Sequence, residues 1–216
     1  MAVSADYRSE TGRFALDGIA SRKDQIALKI ENEHPRAKHH YNVIRRRGGE
    51  CFASFLIAYG EKCAYCGVSI PLIGVDRFEI DHFVCRSSAK NEQGERLIND
   101  VANLVLSCSF CNKCKHDFVV SDEYQELLHP DGRSILGVFV REDDFSIQIA
   151  PKYSNDKTIQ SYYRHLKLGY SIRRLDYLLL RMRALQKKAD DEKTREFLSS
   201  LIQKLLEKRN TTIPRA

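Results

Sequence analysis

The chain has 216 residues, of which 43% are hydrophobic and twenty are Phe or Tyr. This content excludes a wholly disordered chain, and the length fits one catalytic domain with helical extensions or two small domains. The net charge is +6, but residues 63–158 hold ten Lys or Arg against fifteen Asp or Glu, whereas both flanks are basic. An acidic centre suits a divalent cation and basic flanks suit phosphate, although solvated helix faces explain the same pattern.

Neither a secretion signal nor a membrane partner is expected. The first residues include acid and base before any apolar stretch, and the longest apolar run, residues 51–59, is far shorter than a membrane span. Four of the seven cysteines form two Cys-x-x-Cys pairs. Without an export signal this spacing favours metal ligation over disulfides, and we therefore expect a cytoplasmic protein.

The N-terminal region, residues 1–60, is predicted to be helical. A helical pattern runs from Arg13 to about Glu33 and stops before Pro35, because the residue that precedes proline is disfavoured in a helix. A basic stretch follows. Residues 51–59 then predict a short buried helix that leads into the first cysteine pair.

The central region, residues 61–130, is predicted to contain two short strands and a helix. Residues 78–84 have the pattern of a strand with polar residues at its centre, and residues 103–106 have that of a second strand. A polar loop separates the two. After the second cysteine pair, the sequence from Asn112 to about Leu128 is expected to be largely helical.

A hairpin and further helices are predicted beyond this region. In residues 131–157, the segments 135–141 and 145–149 predict a β-hairpin. Residues 158–216 form a basic region in which leucines recur at helical spacing in two segments, which predicts an antiparallel pair of amphipathic helices. Arg173 and the basic residues that follow it are expected to point outward, either as solvating charges or as contacts to DNA or a partner.

The two cysteine pairs predict a structural zinc site. Its expected ligands are Cys63, Cys66, Cys108 and Cys111. Each pair presents two sulfurs on a tight turn, and four thiolates complete a tetrahedral shell without water. Forty-one residues separate the pairs, so the metal closes a substantial loop, and we expect the chemistry inside it.

Further residues in and next to this loop complete a recognisable pattern. In chain order they are Asp81-His82, Asn103-Leu104, Asn112 directly after the second pair, and Lys115. With the cysteines, this order resembles the HNH endonuclease superfamily, also called ββα-metal or His-Me finger nucleases, in a four-cysteine zinc form with a His-Asn-Asn triad. The resemblance covers roughly residues 62–117, about a quarter of the chain.

The resemblance implies an α+β fold with a zinc-stapled, treble-clef-like ββα-metal core. To this core the patterns above add N-terminal helices, a following β-hairpin and a C-terminal helical pair. By the same resemblance, His82 is the general base that deprotonates water, and Asp81 is a ligand of a catalytic Mg²⁺ or Mn²⁺. Asn112 supplies the other ligand. Asn103 braces the loop and orients the histidine.

Chemistry supports these roles independently of the family. Phosphodiester hydrolysis needs a base that works near neutral pH and a cation that neutralises the growing charge. One Asp and one Asn suit magnesium, which keeps several waters. A difficulty is that adjacent strand residues normally point to opposite faces, so the strand must twist or end at Asp81 and His82.

Three accessory residues have open interpretations. Lys115 is part of the motif and is an accessory candidate of the site. His116 is either an extra metal or phosphate contact or an ordinary surface histidine. Glu79 shares a strand face with Asp81 and either supports the metal ligands or forms a salt bridge.

The sequence thus predicts a metal-dependent endonuclease that hydrolyses DNA, double-stranded DNA first, leaving 5′-phosphate and 3′-hydroxyl ends. A rival from another class is a non-catalytic zinc-finger module that binds nucleic acid or protein, which would not need Asp81, His82 and Asn112 together. A third interpretation, compatible with the first, is the effector nuclease of a larger assembly. A bacterial anti-phage defence system with an ATPase partner is the example we consider.

Overall fold

A computed structural model describes residues 5–9 and 16–212. The helices of this part are α1 Ile19–Glu33, α2 His40–Ile44, α3 Glu50–Ala58, α4 Ile70–Ile73, α5 Glu92–Ile98, α6 Ser109–Lys115, α7 Asp122–Leu128, α8 Lys157–His165, α9 Ser171–Lys188 and α10 Glu192–Thr211. The strands are β1 Phe78–His82, β2 Leu104–Cys108, β3 Phe139–Arg141 and β4 Ile147–Ile149. The predicted α+β class is confirmed.

The centre of the fold is a two-stranded antiparallel sheet followed by a helix. Strand β1 pairs with β2 so that Asp81 lies opposite Val105 and His82 opposite Leu104. Helix α6 begins directly after β2 and packs against both strands. Every residue of β2 is buried, which explains its continuous apolar pattern, because both faces of the strand are covered.

One hydrophobic core runs through the described chain. Its buried side chains begin at Tyr7, continue through the strands and the second cysteine pair, and reach Leu168 in the turn after α8. This core crosses the expected limits of the regions 1–60, 61–130, 131–157 and 158–216, and those boundaries stay predictions.

Several elements differ in extent from the predictions: the strands expected at 78–84, 103–106 and 145–149 are Phe78–His82, Leu104–Cys108 and Ile147–Ile149. The helix expected from Asn112 to Leu128 is two helices, because His116 adopts a left-handed φ of 47° and ends α6. In the hairpin, residues 134–137 form a 3-10 turn, so β3 begins only at Phe139. Residues 13–15 of the first predicted helix lie outside the described residues. Helix α1 begins after Gly18, whose φ of 71° does not continue a helix.

The predicted C-terminal pair is present as α9 and α10, which pack against each other after a short turn. The expected outward position of Arg173 is wrong: its side chain is 4% exposed and contacts the cysteine cluster. The pattern misleads because the first turns of α9 are covered on more than one side. None of the helices described for residues 16–212 combines the length and apolarity that crossing a bilayer requires.

The N-terminal stretch, residues 5–9, packs on the turn that holds the first cysteine pair. The Tyr7 hydroxyl donates to the Tyr65 carbonyl at 2.8 Å, and the Arg8 guanidinium donates to the Ala64 carbonyl at 2.7 Å. Gly67 has a φ of 77°, and an added Cβ there would lie 2.5 Å from the Arg8 carbonyl oxygen. Only glycine therefore fits this position without a shift of the N-terminal stretch.

Candidate active site and metal centre

A cavity of about 400 Å³ lies where β1 ends and α6 passes it. Asp81, His82 and Asn112, which the sequence predicts as one site, all line it, and so does His116. Strand β1 ends at His82, which removes the difficulty of two adjacent residues serving one site. The end of the regular strand frees the second side chain from strict alternation.

The His82 ring is buried and held on two sides. Its Nε2 lies 3.0 Å from the Asn99 side-chain oxygen, and its ring packs on Tyr41 with the centroids 4.3 Å apart. Burial lowers the pKa of His82 to about 4, and the positive charges of Arg86 and Lys115 act in the same direction. The ring is therefore neutral at pH 7 and can accept a proton.

The hydrogen bonds of Asn99 assign the tautomer of His82. The Asn99 amide nitrogen donates to the Glu95 carbonyl at 2.8 Å, so its oxygen must face the histidine. An amide oxygen only accepts, and Nε2 must therefore carry the hydrogen. This arrangement leaves Nδ1 as the basic nitrogen. Asn99 was not among the predicted site residues, and no motif signalled it.

Asp81 sits in a buried network rather than in open solvent. Its carboxylate accepts from the Tyr65 hydroxyl at 2.6 Å and lies 3.1 Å from the Lys115 ammonium. Lys115 is 1% exposed and also donates to the His82 carbonyl at 2.7 Å. Burial raises the pKa of the Asp81 carboxyl, and Lys115 and Tyr65 oppose that shift. Lys115 thus links the Asp81 side chain to the His82 backbone.

Asn103 fastens the loop that follows β1. Its side-chain oxygen accepts from the Val84 backbone N–H at 2.8 Å, and its amide nitrogen donates to the Val84 and Ile98 carbonyls. The described contacts of Asn103 are with the loop backbone, and the side chain that touches the His82 ring is Asn99. The loop contact expected of Asn103 is thus present, whereas the contact with the His82 ring is made by Asn99.

Asn112, in the middle of α6, is oriented by Glu79. Its amide nitrogen donates to the Glu79 carboxylate across the gap between helix and strand. An ionised carboxylate only accepts, so this contact fixes the amide orientation and leaves the Asn112 oxygen for another partner. His116 is exposed and pairs with Asp117 at 2.6 Å.

The four motif cysteines meet in one buried cluster. The sulfurs of Cys63, Cys66, Cys108 and Cys111 all lie within 4.8 Å of one another, and all four are free thiols. Those of Cys66 and Cys108 are 3.9 Å apart. A tetrahedral Zn–S distance of about 2.3 Å requires sulfurs about 3.8 Å apart. The cluster is compatible with structural zinc.

Two arginines, Arg45 and Arg86, lie close to the ring of Tyr41, a residue outside the motif that packs on His82. The Arg45 and Arg86 guanidinium carbons lie 5.4 and 6.0 Å from the centroid of the Tyr41 ring, which packs on His82. Both arginines are exposed, and neither forms an ion pair within the described chain. Tyr41 and Arg45 come from α2 and the residue after it, outside the motif.

Comparison with known proteins agrees with this geometry. The family model of the HNH endonucleases matches residues 63–118. The chain is 24% identical over 125 residues to YoqL, an SPbeta prophage-derived protein of Bacillus subtilis (strain 168) that is named as an HNH endonuclease. The alignment covers 55% of this chain and 49% of that protein, so the chain spans about half of its length. No solved structure matches the chain significantly.

Residues 63–118 therefore match the HNH endonuclease domain, the family that the sequence pattern indicated. This class of domain acts on nucleic acid, and DNA is the substrate that the family suggests. The matched segment contains the cysteine cluster and the whole described lining of the cavity. It does not contain Tyr41, Arg45 or the C-terminal helices.

Proposed function

We propose that this protein is a divalent-metal-dependent DNA endonuclease in which His82 activates the attacking water. The observation that carries the proposal is the single cavity lined by Asp81, His82 and Asn112 within the HNH domain. The expected products carry 5′-phosphate and 3′-hydroxyl ends. Double-stranded DNA is the first-choice substrate.

In this proposal His82 takes a proton from water at Nδ1. The neutral ring has a lone pair there, because Asn99 accepts the hydrogen at Nε2. Tyr41 packs on the same ring and limits its rotation. A base that is neutral and held in one orientation spends no energy on reorganisation when the water attacks.

Asp81 and Asn112 would hold the catalytic ion. Their donor atoms are a carboxylate and an amide oxygen, hard ligands that suit Mg²⁺ or Mn²⁺. Such an ion, when bound, neutralises charge that grows on the phosphate and on the leaving 3′ oxygen. Glu79 accepts from the Asn112 amide nitrogen and so leaves the Asn112 oxygen available for the ion. Lys115 holds the Asp81 carboxylate in a fixed position relative to the His82 carbonyl.

Structural zinc at the cysteines and a catalytic Mg²⁺ or Mn²⁺ at Asp81 have separate roles in this proposal, and this separation can be tested directly. Asp81→Ala should keep full zinc content and lose cleavage, since the cysteine cluster does not include Asp81. Plasmid cleavage with magnesium or manganese, elemental analysis and a melting curve measure this. Because Asp81→Ala leaves Lys115 buried without its carboxylate, Asp81→Asn is the matched second variant. Asp76→Ala, at an exposed carboxylate, is the control.

The same assay separates the rival functions. Brief EDTA treatment should abolish cleavage before the protein unfolds, because an ion held by few ligands exchanges faster than one enclosed by four thiolates. Added magnesium or manganese should then restore cleavage. A binding module would instead hold DNA without magnesium and never cut it. If Asp81→Asn cuts like wild type, the metal assignment is wrong. A defence role and an ATPase partner stay predictions.

Arg45 and Arg86 are expected to contact DNA phosphates next to the histidine. Each single Arg→Ala variant should weaken DNA binding and reduce the slope of log K against log salt by about 0.9, the value for one phosphate contact. Fluorescence anisotropy over a salt series measures this with cleavage suppressed by EDTA. Arg77→Ala, which removes an exposed arginine beside Asp76, should leave the slope unchanged. An unchanged slope in both test variants would place the DNA elsewhere.

A further inference from the structure

The C-terminal hairpin, defined as α9 and α10 (residues 171–211), is buried mainly at one end. The described buried residues of α9 all lie in its first half, between Arg173 and Leu179. In α10 the described buried residue is Ile202, while Leu185 and Phe197 near the hairpin tip are exposed. The buried contacts between the hairpin and the core therefore come mainly from the start of α9, with a further exposed hydrogen bond from Arg183 to the Pro71 carbonyl at 3.0 Å.

Arg173 makes the most unusual of these contacts. Its guanidinium nitrogens lie 3.0 Å from the Cys66 sulfur, 3.0 Å from the Cys111 sulfur and 4.0 Å from the Cys108 sulfur. The guanidinium also lies over the Phe110 ring at 4.7 Å. One arginine of α9 thus reaches both cysteine pairs at once.

The charge of Arg173 needs a partner, because a buried guanidinium is costly unless it is paired. In the described part of the chain no carboxylate lies within ion-pair distance of Arg173, and its Nε has no hydrogen-bond partner. Its two terminal guanidinium nitrogens donate to the sulfurs of Cys66 and Cys111, and one of them also donates to the Leu166 carbonyl. Neutral thiols are weak acceptors, whereas four thiolates around one Zn²⁺ carry a net charge of about −2.

The charges continue from the cysteines into α10. Asp176, one turn after Arg173, is buried and pairs with Arg209 of α10 at 2.5 Å. Arg173, Asp176 and Arg209 line one cavity beside Cys108. Thiolates, Arg173, Asp176 and Arg209 therefore alternate in sign from the core to the second helix of the hairpin.

We propose that Arg173 is an outer-sphere partner of the zinc–thiolate cluster and that this contact makes docking of the C-terminal hairpin depend on bound zinc. The proposal rests on zinc at the four cysteines, which is part of the proposed function. With zinc bound, the thiolates supply the negative charge that Arg173 needs. Without zinc the four sulfurs are no longer held together, Arg173 loses the partners that its guanidinium shares between Cys66 and Cys111, and the hairpin leaves the core. Arg173 in turn stabilises bound zinc, because the coupling is reciprocal.

The test compares full-length wild type with Arg173→Met, which keeps the length of the side chain and removes its charge. The matched control is Arg174→Met, the adjacent exposed arginine that pairs with Asp144 at the surface. Two quantities are measured: the rate of zinc transfer to a chromogenic chelator, and hydrogen exchange of residues 171–211 before and after zinc removal.

In Arg173→Met we expect zinc to be lost about 10- to 100-fold faster, the usual effect of removing a group that supports metal ligands. The hairpin should exchange faster than in wild type while β1 and β2 stay protected, and Arg174→Met should behave like wild type. In wild type, hairpin exchange should rise after zinc removal before β1 and β2 lose their protection, and simultaneous loss in all of them would count against zinc-dependent docking. If Arg173→Met does not fold, Arg173→Lys, which keeps the charge but not the fork, should give a smaller effect in the same direction.

Two contrary results would distinguish failure of the role of Arg173 from failure of the zinc site itself. Zinc release and hairpin exchange in the Arg173 variants that match Arg174→Met would overturn the role of Arg173 while leaving the zinc site intact. Wild-type protein with no bound zinc would overturn the zinc site and this proposal with it, whatever the nuclease assay gives.

Discussion

Replacing His82 with alanine should lower the rate of DNA cleavage by about 10² to 10⁴-fold, the usual loss when a positioned base is removed. Zinc content should not change, because the cysteine cluster does not include His82. Plasmid cleavage under single-turnover conditions, elemental analysis and a melting curve provide the three readings. A variant that cuts at the wild-type rate would remove His82 from the role of base.

Asn99 provides the control for the tautomer of His82. Asn99→Asp keeps an oxygen that accepts from Nε2–H, whereas Asn99→Leu has a similar size and no acceptor. Cleavage should therefore fall less in Asn99→Asp than in Asn99→Leu, with both variants folded. Equal activity in the two variants would mean that the contact with Asn99 does not set the basic nitrogen.

Replacing Cys63 or Cys108 with serine should remove zinc and unfold the domain. Both residues are 1% exposed in the core, and the binding energy of a structural zinc, about 10–16 kcal/mol in small zinc domains, is largely folding energy. About one zinc per wild-type chain is expected from elemental analysis. Circular dichroism melting should show loss of the cooperative transition in each serine variant.

Cys114 is the matched control for this experiment. It follows Cys111 at the same three-residue spacing and lies in the same helix, but it is not part of the described sulfur cluster. Cys114→Ser should therefore keep its zinc and its melting temperature. Zinc-free Cys63→Ser protein with an unchanged melting curve would contradict the structural role of the metal.

Sequence alone determined the residues whose chemistry depends on local spacing. A Cys-x-x-Cys turn brings two sulfurs together wherever it occurs, so the four-cysteine cluster followed from the two pairs. The Asp-His pair and the Asn that follows the second cysteine pair were identified by the resemblance to HNH endonucleases, and the structure brings all three to one cavity. The short strands and the C-terminal helices followed from their periodicity.

Sequence patterns failed where the partner of a residue lies far away in the chain. Periodicity placed Arg173 on the outside, because a charged residue on an amphipathic helix is normally solvated. Its actual partners, Cys66 and Cys111, are 107 and 62 residues away. The buried position of Lys115 likewise depends on Asp81, 34 residues earlier.

The surroundings of His82 also come from separate parts of the chain. Tyr41 comes from α2 and Asn99 from the end of α5, and neither stands at a spacing that signals a contact with the histidine. The sequence thus identified the candidate ligands and the candidate base, since ligand and base types follow from residue identity. Only the tertiary structure decided which groups hold them in place, because burial and charge pairing arise when distant segments pack together.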